Sequence, residues 1–132
     1  MSEPMKAQCR CGQLTAECRG EPTRISVCHC HACQLRTGSV FATQIRFPAD
    51  TATIAGESRS WGRIGDSGGQ CTYHFCETCG STVFYVIDLF PGVIAIPMGA
   101  FAGAELPRPW VSVYEQRKVP WVELVGDIKH HD

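Results

Sequence analysis

Three short runs hold all but two of the chain's 9 cysteines. They are Cys9-Arg10-Cys11-Gly12, Cys28-His29-Cys30-His31-Ala32-Cys33 and Cys76-Glu77-Thr78-Cys79-Gly80, with Cys18 and Cys71 outside them. An odd count rules out complete intramolecular disulfide pairing, and clustered thiols without a secretory leader point to metal. Cys76 and Cys79 sit in a C-x-x-C-G turn, a spacing at which two thiolates reach one ion. The following glycine allows the backbone to aim N–H groups at sulfur. A structural zinc ion takes four ligands in a tetrahedron, and Cys9 and Cys11, again followed by glycine, are the natural second pair. The long loop between the pairs is no obstacle, because closure entropy grows slowly with loop length.

The middle run has a different character. In an extended segment Cys28 and Cys30 point the same way, and a turn that brings Cys33 over them gives three thiolates and one open coordination position. That is the arrangement of a catalytic zinc site. Two other readings stay open at this point. Cys28, Cys30, Cys76 and Cys79 could share an ion, which strands Cys9, Cys11 and Cys33. Alternatively His31, His74 or Cys71 could close the three-thiol set into a second structural site. Iron in the four-cysteine site is a further alternative, because four thiolates hold iron as well.

Around these clusters most residues have plain expectations. Cys18 and Cys71 read as small buried hydrophobes. His29 and His31 read as exposed, and His130 and His131 as a frayed end. Trp61, Trp110 and Trp121 read as core or interface residues, and Arg36, Arg46, Arg59 and Arg63 as solvated, with one or two able to hold an acidic substrate.

The elements that must carry the clusters are short. The segments Gln13–Cys18, Val40–Phe47, Cys71–Phe75, Ser81–Ile87, Val93–Ile96 and Trp110–Tyr114 are predicted as strands. Leu14, Ala16 and Cys18 fall on one face of the first, and Phe41, Thr43, Ile45 and Phe47 on one face of the second. One helical turn is predicted over Ala32–Thr37, stopped by Gly38. The chain has 132 residues, 44% of them hydrophobic and 19% charged, with 13 glycines and 8 prolines spread along it. This is the composition of one mostly β globular domain. The formal charge of −1 gives no electrostatic case for nucleic acid, and no apolar run approaches a membrane span. The start, Met1-Ser2-Glu3-Pro4-Met5-Lys6, has no apolar signal region, so a cytoplasmic location is expected.

At the cysteine runs the sequence resembles the glutathione-dependent formaldehyde-activating, or centromere-protein-V-like, family. The likeness continues through Gly38-Ser39, Phe75 to Phe84, Met98-Gly99-Ala100-Phe101, Pro107-Arg108-Pro109, Ser112-Val113-Tyr114-Glu115 and Pro120-Trp121. It implies a single-domain, zinc-stabilised β-tent of short antiparallel strands over residues 8–122, with an N-terminal lead-in (1–7) and a C-terminal tail (123–132). It also implies structural zinc on Cys9, Cys11, Cys76 and Cys79, and catalytic zinc on Cys28, Cys30 and Cys33. The implied activity is carbon–sulfur lyase chemistry on a glutathione or other thiol adduct, with S-(hydroxymethyl)glutathione as the reference product and glutathione as co-substrate. The thiol sulfur would take the open zinc position. The alternative is a non-enzymatic zinc module that binds a protein partner. A homodimer is one expectation for the assembly.

Overall fold

The computed structural model describes residues 3–65 and 67–132. Eleven strands and one helix are described: β1 (Met5–Gln8), β2 (Thr15–Cys18), β3 (Arg24–Cys28), α1 (His31–Thr37), β4 (Ala42–Pro48), β5 (Ala52–Ala55), β6 (Arg59–Ile64), β7 (Gln70–Phe75), β8 (Thr82–Ile87), β9 (Val93–Pro97), β10 (Val111–Val113) and β11 (Lys129–His130). They form a three-stranded sheet in the order β1-β2-β5 and an eight-stranded sheet in the order β11-β10-β3-β4-β9-β8-β7-β6. The chain is therefore mostly β. Pairing is antiparallel except where β10 runs parallel to β3 and β11 parallel to β10.

The two sheets bury one shared core. Ala7, Leu14, Ala16 and Cys18 enter it from the small sheet, and Ile25, Ile45, Phe47, Ile94 and Ile96 from the large one. The alternation predicted for β2 is thus borne out, and so are the inward Ile45 and Phe47 of β4. A second, smaller cluster of Cys71, Tyr73, Tyr85 and Ala95 lies on the opposite face of the large sheet. Cross-strand partners share a face. The pairs Tyr73↔Tyr85, Tyr85↔Ala95 and Ala95↔Arg46 accordingly set this second face apart from the core.

Several elements escape sequence patterning. In β3 four consecutive residues, Ile25 to Cys28, are buried, so no alternation marks the strand. In β6 nearly every residue is exposed and Gly62 interrupts it; only its pairing with β7 makes it a strand. Met1 and Ser2 of the expected lead-in lie outside the described residues, but Met5 to Ala7 belong to β1, and Ala7 is fully buried. The C-terminal end does not fray as expected. His130 pairs in β11, and the His131 N–H donates to the Ser112 carbonyl at 2.9 Å. No helix among the described residues is long and apolar enough to cross a membrane.

Candidate metal centres

Two hairpin-like turns build the first site. The Cys9 N–H bonds the Leu14 carbonyl at 2.9 Å, and the Cys76 N–H bonds the Ser81 carbonyl at 2.9 Å, so each turn closes over the same five-residue step. Inside them, Gly12 (φ 86°) and Gly80 (φ 82°) donate back to the Cys9 and Cys76 carbonyls. A side chain would be strained at either glycine. The result brings the four sulfurs of Cys9, Cys11, Cys76 and Cys79 within 4.8 Å of one another. Cys9 and Cys11 Sγ are 3.6 Å apart, and Cys11 and Cys76 Sγ are 3.7 Å apart. Tetrahedral sulfurs about 2.3 Å from a zinc ion lie about 3.8 Å from each other, so the donor set fits that ion.

N–H groups point at three of the four sulfurs. Leu14 N–H points at Cys9 Sγ (3.3 Å), Cys11 N–H at Cys79 Sγ (3.5 Å), and Gln13 Nε2 donates to Cys76 Sγ at 3.0 Å. The Ser81 N–H, its hydroxyl and the Cys11 N–H hold the Cys79 thiol down at about 5. Cys11 has the opposite balance. The Gln13 N–H favours its thiolate, but burial and the neighbouring thiols outweigh that and keep it at about 11.

The second site lies where β3 runs into α1, with the sulfurs of Cys28, Cys30 and Cys33 within 4.8 Å of one another. Cys30 caps the helix, and its sulfur accepts from the Cys33 N–H at 3.4 Å. The helix ends at Gly38 as predicted. The thiol of Cys28 beside Cys33, with help from Cys30 and the Arg36 guanidinium, holds Cys33 at about 6 against the effect of burial. Hydrogen bonding to Cys33 and burial push Cys28 up.

Other expectations change here. Neither His31, His74 nor Cys71 joins this cluster among the described residues. His31 Nδ1 bonds Arg117, His74 stacks on Phe84, and Cys71 sits in the second core cluster. The described clusters also separate Cys28 and Cys30 from Cys76 and Cys79. His29 is not exposed but fully buried, with Nε2 2.9 Å from the Ser112 hydroxyl. Trp61, Trp110 and Trp121 are exposed rather than core.

Arg36 is half-buried rather than fully solvated. Its guanidinium lies 4.9 Å from the Tyr73 ring centre and 5.4 Å from that of Tyr85. It forms a wall between two hollows. One, of about 390 Å³, is lined by Ala32, Leu35, Trp61, Arg63 and Tyr73 and adjoins Cys33 in the chain. The other, of about 660 Å³, reaches past Phe41 and Thr43 toward Arg10 and Lys6. Gln13, Ser81 and Arg36 are thus site residues that the cysteine spacing alone did not reveal. Gln13 and Ser81 stand next to the glycines of their turns, which was the available signal.

A family model described as glutathione-dependent formaldehyde-activating enzyme matches residues 4–117. No curated protein matches. A crystal structure of a Rhodobacter sphaeroides protein, a Northeast Structural Genomics target, shares the fold with a TM-score of 0.60. It covers 76% of this chain and 91% of that one, at 19% sequence identity.

Proposed function

Since the chain belongs to the glutathione-dependent formaldehyde-activating enzyme family, we propose that it is a zinc-dependent carbon–sulfur lyase acting on a glutathione adduct. The observation that carries this reading is the pair of unlike sulfur clusters. One supplies four thiols, a closed set; the other supplies three beside an aromatic-walled hollow of about 390 Å³. Cys9, Cys11, Cys76 and Cys79 would hold a structural ion, and Cys28, Cys30 and Cys33 a second ion with one position open. When bound at the three-cysteine site, zinc supplies that open position and lowers the pKa of a thiol that occupies it.

The chain's own residues set the conditions for the reaction. A free thiol with a pKa near 8.5 is only about 3% thiolate at pH 7, so a site that favours the anion raises the reactive fraction. Three thiolates around a divalent ion leave a net negative charge, and Arg36 next to Cys33 offsets it. The stacking of Arg36 on Tyr73 and Tyr85 fixes the cation there. Tyr73 and Trp61, stacked with ring centres 6.3 Å apart, form an apolar wall on one side of the hollow. In the synthetic direction the glutathione sulfur bonds the formaldehyde carbon. The thiol proton leaves, the carbonyl oxygen gains a proton, and S-(hydroxymethyl)glutathione results.

The test is the rate of that adduct's formation from glutathione and formaldehyde, followed by exchange NMR. We expect the protein to accelerate it and Cys30→Ser to abolish the acceleration while keeping the wild-type melting curve. A folded Cys30→Ser variant with full activity would reject the assignment. The exposed Leu35 and Trp61 on the rim of the same hollow favour a second reading, a zinc module that docks a protein. Absence of any acceleration by the zinc-loaded wild type would select it.

A further inference from the structure

Only His29 stands between Cys28 and Cys30. In a straight strand, residues two apart lie about 6.6 Å from each other, whereas sulfurs that share a zinc ion lie about 3.8 Å apart. The chain must therefore bend at His29, and β3 has ended one residue before it. His29 is held there from two elements. Its N–H donates to the Val113 carbonyl (3.1 Å), and its carbonyl accepts from Gln34 Nε2 (2.8 Å). Its ring Nε2 lies 2.9 Å from the Ser112 hydroxyl. Gln34 belongs to α1, whereas Ser112 and Val113 belong to β10, whose register sets Val113 beside Cys28.

The direction of the ring bond follows from proton counting. A serine hydroxyl has one proton to give. Ser112 gives it to the Glu115 carboxylate, which also accepts from His130 Nδ1 at 2.7 Å. Ser112 Oγ is then an acceptor toward His29, so His29 carries its proton on Nε2. The hydrogen bonds run one way, from His29 to Ser112 to Glu115. Nδ1 of His29 is left as a bare lone pair, buried without a partner. His29 and Ser112 are both 0% exposed, and neither belongs to the sulfur cluster. Aliphatic side chains would fill that space without the cost of burying polar groups. What the imidazole and the hydroxyl add is a tie of fixed direction at the bend.

We infer that His29 and Ser112 are positioning residues for the three-cysteine cluster: their bond sets the bend that brings the sulfur of Cys30 to that of Cys28, and so raises the affinity of the cluster for its ion. The inference rests on the reading above that Cys28, Cys30 and Cys33 hold an ion, and the test separates the two.

Zinc release from the fully loaded protein is followed by competition with a chromogenic chelator. Wild type is expected to release two ions in two phases, and the phase missing from Cys30→Ser belongs to the three-cysteine cluster. Ser112→Ala removes the acceptor, and His29→Phe removes the donor but keeps a ring against Phe41, now 6.0 Å away between ring centres. Each should weaken the three-cysteine phase about 10- to 100-fold, the range for groups that orient metal ligands, and leave the four-cysteine phase unchanged. Because both cut the same bond, the double variant should lose no more than either single variant. His29→Gln, which keeps a side-chain N–H, should restore most of the affinity.

A folded Ser112→Ala or His29→Phe with an unmoved three-cysteine phase overturns the positioning role, even if it melts lower than wild type. Additive losses in the double variant overturn it as well. Nitrogen NMR of the wild-type imidazole needs no variant: a proton on Nε2 is expected, and a proton on Nδ1 overturns the bond's direction and the inference with it. One zinc ion per chain in wild type rejects instead the reading that the three cysteines hold an ion; two ions with an unmoved phase reject the positioning role alone.

Discussion

Gln13 donates its side-chain N–H to the sulfur of Cys76 across 3.0 Å, joining the N-terminal turn to a cysteine 63 residues further along the chain. The same amide is clamped to Glu57: Nε2 also donates to the Glu57 carbonyl (2.7 Å), and Oε1 accepts from the Glu57 N–H (3.0 Å). The loop after β5 thereby holds the group that steadies the sulfur of Cys76 in the four-cysteine cluster.

Removing that group should loosen the metal without removing a ligand. Gln13→Ala is expected to weaken zinc binding at the four-cysteine site by about 10- to 100-fold, the range for partners that hydrogen-bond a ligand. Competition with a chromogenic chelator reads this directly. Wild-type affinity in the variant would show that the Gln13 bond carries no weight.

Gly56 offers a backbone route to the same place. It sits at φ 96°, and a methyl group on it would lie 1.9 Å from the Gln13 carbonyl oxygen. Gly56→Ala should cost about 1–3 kcal/mol from the left-handed conformation alone, with the clash in addition. The urea midpoint should fall, and zinc should be released at lower chelator concentration than in wild type.

The two sulfur clusters should fail differently. Structural zinc contributes about 10–16 kcal/mol, as much as the whole net stability of a domain, about 5–15 kcal/mol. Cys79→Ser is therefore expected to unfold the protein, and Cys33→Ser to leave the melting curve near wild type while removing activity. Circular dichroism melts of the two variants check this; equal melting of Cys79→Ser and wild type would refute the structural role.

Glu115 should give a readable acid response. Burial pushes its pKa up, but hydrogen bonds from the Ser112 hydroxyl and from His130 outweigh this and hold it below the usual 4.5. The His130 contact is 2.7 Å and fastens β11. A depressed folded pKa means stability fully present above about 4.5 and lost as pH falls through the lower folded value. Glu115→Gln should thus be less stable than wild type at pH 7, with the gap closing below pH 4.5. Denaturant midpoints measured from pH 7 to 4 test it; a gap constant across that range would exclude the linkage.

What could be read from sequence was local. Cys76 to Gly80 and Cys28 to Cys33 carry their spacing within one turn, and Leu14, Ala16 and Cys18 carry their face in a period of two. The grouping of Cys9 and Cys11 with Cys76 and Cys79 follows from ligand number, which is chemistry rather than geometry. The rest depends on partners distant in the chain. The burial of His29 comes from β10, which supplies Ser112. The opposition of Arg24 and Arg46 exists only in the β3–β4 register, and neither residue signals it alone. Arg36 resembles any exposed helical arginine until β7 and β8 place Tyr73 and Tyr85 beneath it.

The separation of the four-cysteine ligands along the chain sets an order in time. The cluster of Cys28, Cys30 and Cys33 is complete 46 residues before Cys79 is made. At about 5–20 residues per second on the ribosome, that interval is about 2–9 s. During it the nascent chain presents three thiols to the metal supply, and the stronger four-thiol trap does not yet exist. An ion captured in that interval would therefore sit among Cys28, Cys30 and Cys33, and the last segments of the large sheet would close around a chain already carrying it.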